Sequence, residues 1–88
     1  MEHLSLATVQ DRIKEILATQ LDVHPALLAE ADGQTSLLGE GIGLDSVEAL
    51  ALAAAVEEAF GIEIAADDFT TELFSSLDRL AGYVLERV

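Results

Sequence analysis

Apolar side chains recur three and four positions apart in three separate stretches of this 88-residue chain, and that spacing admits little besides a bundle of helices. Leu6, Val9, Ile13, Ile16 and Leu17 give a first helix from about Ser5 to Gln20, with Gln10, Lys14 and Glu15 on its outer face. It must end before Pro25, because the residue ahead of a proline, here His24, is pushed out of the helical region. The second stretch, Val47 to Phe60, is rich in alanine and good helix formers. It opens on Asp45, which can cap it while Glu48 reaches back, and Gly61 supplies its stop. Leu77, Leu80, Ala81, Val84, Leu85 and Val88 mark the apolar face of a last helix, with Ser75 and Asp78 as a start resembling a capping box. Between the second and last stretches, an extended Ile62-Glu63-Ile64 leads to a short third helix capped by Asp67 or Asp68, with Phe69 and Leu73 on one face. The expected fold is therefore all-α: a small four-helix bundle of three main helices plus a short third one.

The first two main helices are separated by a long connection, from about Leu21 to Asp45. Its only regular candidate is a turn or so of helix at Pro25 to Glu30; Asp32-Gly33, Gly39, Gly41 and Gly43 interrupt the rest. A loop this long in a compact domain is functional or tied down by its own side chains, and Leu37, Leu38, Ile42 and Leu44 are its expected anchors. The length leaves room for a single domain spanning residues 1–88. With no cysteine there is neither a disulfide nor a thiolate metal site, and any thiol chemistry has to be supplied by an attached group. His3 and His24 lack the spacing of metal ligands and read as surface residues, and Asp32-Gly33 reads as a turn rather than a calcium loop, so no metal is expected. No apolar run approaches membrane-spanning length and Met1-Glu2-His3-Leu4 has no leader character, which points to a cytoplasmic chain. Four basic against 17 acidic residues give a formal charge of −13. That field repels nucleic acid and anionic lipid and steers the chain toward basic patches on proteins. A monomer is expected.

On a helical wheel, Ala49, Leu52, Ala53, Val56 and Phe60 share the core side of the second main helix. Val47, Ala51, Ala54, Ala55 and Glu58 fall roughly opposite, with Leu50 on the flank. A small, mostly apolar strip thus faces outward beside Ser46, which sits exposed at the helix N-terminus; such a strip marks a docking surface. A hydrolytic role for Ser46 is the weaker rival, since Leu44-Asp45-Ser46-Val47-Glu48 lacks the glycines of a nucleophile elbow and that elbow needs a sheet. As a further alternative, the chain would be a non-catalytic acidic interaction module in which Ser46 is merely the N-cap of its helix. Tyr83 reads as a packing residue with its hydroxyl at the surface.

Ile42-Gly43-Leu44-Asp45-Ser46-Val47 resembles the phosphopantetheine attachment motif of the acyl carrier protein family, a glycine, a variable residue, then Asp-Ser-aliphatic. The similarity covers nearly the whole chain. Leu21-Asp22-Val23 resembles the close of that family's first helix, Glu57-Glu58-Ala59-Phe60-Gly61-Ile62-Glu63-Ile64 the end of its second, and Phe74-Ser75-Ser76-Leu77 the junction into its last. The resemblance implies a stand-alone carrier rather than an enzyme, with Ser46 as the point where a phosphopantetheinyl transferase attaches 4′-phosphopantetheine from coenzyme A in the presence of Mg²⁺. It further implies that the arm holds acyl groups as thioesters for fatty-acid-like or polyketide-like biosynthesis. Asp45, Val47, Glu48 and Ala51 match positions where the family meets its transferase and its acyl-transferring, ketosynthase-type or ligase partners, whose docking patches are basic. A peptidyl, aminoacyl or D-alanyl carrier would share arm and bundle. The chain departs from the family at Ala51, where a carboxylate is frequent, and at Gly39-Glu40-Gly41-Ile42-Gly43, where the family is more acidic and less glycine-rich. Both departures suggest a specialised pathway with recognition resting more on apolar contact.

Overall fold

The structure, a computed structural model, describes residues 4–88 and is helical in every regular element: α1 Leu6–Gln20, α2 Pro25–Glu30, α3 Ser46–Phe60 and α4 Leu77–Arg87. A single 3-10 turn, Ala66–Asp68, lies between α3 and α4. Among the described residues the one β-type pairing is an isolated parallel bridge between Leu38 and Leu44.

Each helix begins where a side chain can satisfy its free N–H groups. Ser5 Oγ accepts from the Thr8 N–H at the start of α1, 3.2 Å away. At α2 that role falls to His24, whose Nδ1 accepts from the Ala26 N–H at 3.0 Å, while Pro25 takes the first helical position, where a missing N–H costs nothing. His24 is thus exposed, as expected, but carries a capping role. α3 ends on Gly61 in the left-handed conformation (φ 66°), where its N–H reaches the Glu57 carbonyl. α4 is capped by Ser76, which accepts from the Arg79 N–H at 3.1 Å, and not by Ser75, whose hydroxyl donates to the Glu72 carbonyl. His3 lies outside the described residues.

α1 packs against all three other helices. Val9, Ile13 and Leu17 of α1 meet Leu52 and Val56 of α3 and Leu80 and Val84 of α4 in a core from which water is excluded. The connection before α3 closes this core: Leu37, Ile42 and Leu44 are buried and Leu38 half-buried, as the sequence predicts. Its backbone is paired too. Leu37 N–H donates to the Phe74 carbonyl (3.1 Å), Leu77 N–H to Thr35 (3.0 Å) and Asp78 N–H to Gly33 (2.8 Å), so the loop runs hydrogen-bonded to the entrance of α4. Ile42 N–H returns to the Ser36 carbonyl at 2.8 Å, bringing the chain so close to Gly41 that a Cβ there would overlap the Ser36 carbonyl oxygen.

The short helix of the bundle is α2, inside the connection; the one expected to start at Asp67 or Asp68 does not form. Ala65 occupies the cap position of the 3-10 turn without a side-chain bond, Phe69 leaves helical dihedrals (φ −80°, ψ 83°), and β-branched Thr70 and Thr71 follow. Phe69 is 37 % exposed while Leu73 is buried, so the two do not share a face. The Asp68 carboxylate is instead claimed by Tyr83, whose hydroxyl donates to it at 2.7 Å and accepts from the Ala65 N–H at 3.3 Å. The Arg87 guanidinium lies 3.5 Å from the Tyr83 ring centroid and 3.5 Å from the same carboxylate. The Tyr83 hydroxyl therefore pins the 3-10 turn to α4, and loss of hydration and its bond to Asp68 raise its pKa above the ordinary tyrosine value. At the helix ends Leu6 and Val88 extend beyond the core and are exposed, and Phe60 is half-buried beneath the Arg12 guanidinium, 4.8 Å from its centroid.

Two glycines separate close approach from mere presence. Gly41→Ala should cost about 1–3 kcal/mol by forcing the connection off Ser36, whereas Gly82→Ala, within α4 and with nothing within 4 Å of the new Cβ, should gain about 0.5–1 kcal/mol from helix propensity. Chemical denaturation of both variants checks the opposite signs; a neutral Gly41→Ala would contradict the packing of the connection.

Candidate functional site

The start of α3 is built by reciprocal capping. Asp45 Oδ1 accepts from the Glu48 N–H at 2.8 Å, and Glu48 Oε1 accepts from the Asp45 N–H at 3.1 Å. Because Asp45 holds the cap position, Ser46 is the first helical residue, and the reading of Ser46 as an N-cap is corrected. Its side chain is exposed and its hydroxyl is not required by the helix. The residues ahead of it are held by the Leu44 N–H bond to the Leu37 carbonyl (3.0 Å), so the site is anchored through the connection to the core.

Ser46 also lines an open, mostly apolar cavity of about 260 Å³, together with Leu38, Leu44 and Ala49 and with Phe69, Thr70, Thr71 and Phe74. The segment after the 3-10 turn thus contributes half of the surroundings of Ser46. Its contribution was invisible in the sequence, because Phe69 and Phe74 lie more than twenty residues away and outside any regular element.

Along the outer side of α3, Val47 is 73 % and Leu50 60 % exposed, with exposed Ala51 and Ala54 following them. These four stand at positions i, i+3, i+4 and i+7, one continuous stripe. The strip expected from the sequence is present, with two changes: Leu50 lies on it rather than beside it, and Ala55 is half-buried against the core. Ala53 is buried with Ala49, Leu52 and Val56, as the wheel predicts. Asp45 is exposed and Glu48 half-exposed, both drawn into the cap.

The chain has only four Lys and Arg residues, and each is engaged within the molecule. Arg12 covers Phe60, Lys14 donates to the Ala31 carbonyl at 2.9 Å, Arg79 pairs with Glu72 at 3.1 Å, and Arg87 with Asp68. None of these contacts lies beside Ser46, where the neighbouring charged side chains are Asp45 and Glu48.

The family model describing the phosphopantetheine attachment site matches residues 11–84, a span that includes all four helices in whole or large part. The chain belongs to the phosphopantetheine attachment-site family. It is a carrier, whose covalently attached prosthetic group is 4′-phosphopantetheine, installed by a phosphopantetheinyl transferase, and it works by presenting that group to enzymes. Among the described residues no helix is long and apolar enough to cross a membrane, and no group of three or more His, Cys, Asp or Glu side chains is arranged to hold a metal ion.

The cap assignment can be checked by stability alone. Asp45→Ala should cost this carrier about 0.5–2 kcal/mol, while Ser46→Ala, at a helical position that alanine favours, should change stability by less than about 0.5 kcal/mol. The reverse order in thermal melts would place the cap at Ser46.

Proposed function

We propose that this carrier is an acyl carrier protein in which the hydroxyl of Ser46 bears the 4′-phosphopantetheine. The observation that carries the reading is the position of Ser46: one residue past a side-chain cap, exposed, free of the capping bond, and open to an apolar cavity. The residues suit the group. A hydroxyl not consumed by the helix is available to a transferase, and the phosphate, once joined, sits at the positive end of the α3 dipole, although Asp45 and Glu48 share that end. When attached, the arm supplies the thiol that a chain without cysteine lacks, and acyl groups ride on it as thioesters. Ser46 is the acceptor of the arm and no residue of the carrier is catalytic; its role is to raise the effective concentration of the tethered acyl group at partner active sites.

The apolar lining beside Ser46 favours an alkyl cargo in fatty-acid-like or polyketide-like biosynthesis over the charged amino group of an aminoacyl, peptidyl or D-alanyl one. Acyl-transferring, ketosynthase-type or ligase enzymes with basic docking patches would meet the outer stripe of α3 through Asp45, Val47, Glu48 and Ala51. Leu50 and Ala54 extend the apolar part of that contact. Ala51 and the glycine-rich approach to the site, Gly39 to Gly43, support a specialised pathway with more apolar recognition.

With coenzyme A, Mg²⁺ and a broad-specificity transferase, the parent should gain one phosphopantetheine and Ser46→Ala none, by intact-protein mass; Ser36, Ser75 and Ser76 are internal controls, and modification surviving in the variant would refute the site. For docking, Ala51→Arg should leave the helix content unchanged and slow arm transfer and acylation, because a long cation enters a contact shaped for a methyl group and faces a basic partner. Leu52→Arg, one residue along in the core, should unfold the bundle. Ala51→Arg acting at the parental rate would show that the stripe is not the docking surface.

A further inference from the structure

Gly82 lies in the middle of α4, where a glycine weakens the helix relative to alanine, and the chain's own packing does not call for it. Its backbone is not in the left-handed region, and a Cβ there would meet nothing within 4 Å. What the glycine provides is bare, half-buried backbone on an open groove of about 700 Å³. From α4 the groove is lined by Gly82, Leu85 and Glu86, and from the 3-10 turn onward by Asp67, Glu72 and Leu73. Leu73 is buried and Leu85 half-buried, so part of this lining is apolar. Thr70 lines both this groove and the cavity beside Ser46, and the two therefore adjoin. The charge of the groove is one-sided: five carboxylates line it against a single cation, Arg79. Arg79 pairs with Glu72 at 3.1 Å, Asp68 is taken by Tyr83 and Arg87, and Asp78 accepts from the Gln10 side-chain amide. Asp67 and Glu86 have no salt-bridge partner among the described residues.

We propose that the groove over Gly82 is a second docking surface of this carrier, in which a partner enzyme lays a lysine- or arginine-bearing segment against the bare backbone of α4. Three observations identify the occupant. Backbone without a side chain admits a closer approach than any other residue would, which suits a segment of main chain or a short side chain. Leu73 and Leu85 give that segment apolar surface to cover, and Asp67 and Glu86 offer charge-assisted bonds to its cations. Continuity through Thr70 sets the segment beside the point that every enzyme using the arm must visit. This last argument rests on the Ser46 reading; the other two do not. A second copy of the chain, a nucleic acid and an anionic lipid are each repelled by the net charge of −13. Gly82 thus gives up helix stability in favour of contact, a trade common at functional positions.

The test follows backbone amide signals by NMR in the isotope-labelled, arm-bearing full chain while an amphipathic helical peptide of leucine and lysine is added. A leucine–glutamate peptide of the same pattern is the control. Signals of Leu73, Gly82, Tyr83 and Glu86 should shift together and saturate with the lysine peptide, and stay in place with the glutamate one. Gly82→Ala should melt at a higher temperature than the parent yet bind the lysine peptide at the groove about fivefold more weakly or worse, because a methyl group stands where the segment would lie. That loss should be the same at low and high salt. Asp67→Asn combined with Glu86→Gln should weaken binding about threefold at low salt and little at high salt, where the charges are screened. Parental affinity at the groove in Gly82→Ala would overturn the proposal. Shifts confined to Val47 and Leu50 of the α3 stripe, or spread evenly over the acidic surface, would overturn it as well. The titration reads the groove itself, whereas peptide mass mapping of the arm reads the Ser46 assignment, so failure of the one is not mistaken for failure of the other.

Discussion

The backbone hydrogen bonds between the connection and the entrance of α4 are the constraint on which the rest of this molecule depends. A connection of some two dozen residues with one short helix is entropically expensive to order, and its buried N–H and C=O groups must be paired. Pairing Gly33, Thr35 and Leu37 with Asp78, Leu77 and Phe74 meets that requirement and places Leu37 and Leu44 in the core. It also brings two distant parts of the chain together: the run into Ser46 and the segment carrying Phe74. The cavity at Ser46 is a product of that junction, and Gly41 is small because the Ser36 carbonyl stands where a Cβ would be.

Electrostatics and packing divide the surface into two functions. The few cations are spent on internal contacts that hold the periphery: Lys14 on the end of α2, Arg79 and Arg87 on the segment between α3 and α4, Arg12 over Phe60. Exposed pairs such as Arg79–Glu72 contribute little stability individually, but their arrangement leaves the apolar stripe of α3 without a Lys or Arg contact beside it on a chain of net charge −13. Charge acts at a distance to bring basic partners, and the stripe of Val47, Leu50, Ala51 and Ala54 supplies the short-range contact. The Tyr83 clamp belongs to the same economy, since one phenol and one arginine immobilise a turn that has no cap of its own.

Much of this was determined by the sequence alone. Periodicity placed the three long helices, Pro25 marked the short α2, and Asp45 with Glu48 announced the cap that leaves Ser46 exposed and presents it at the head of α3. These features are local: a helical face, a cap or a proline restriction acts within about four residues, and the chain carries the information where it acts. Only the tertiary structure decided the rest. The segment from Ala66 to Ser75 has caps and apolar spacing that suit a helix, yet Tyr83, fifteen residues beyond Asp68, takes the carboxylate that a helix start would have used. Leu50 joined the outer stripe and Ala55 left it because neighbouring elements, not the wheel, set which angle of α3 is covered. The cavity beside Ser46 arises from contacts between residues twenty or more positions apart, and no local pattern encodes which distant side chains will meet there.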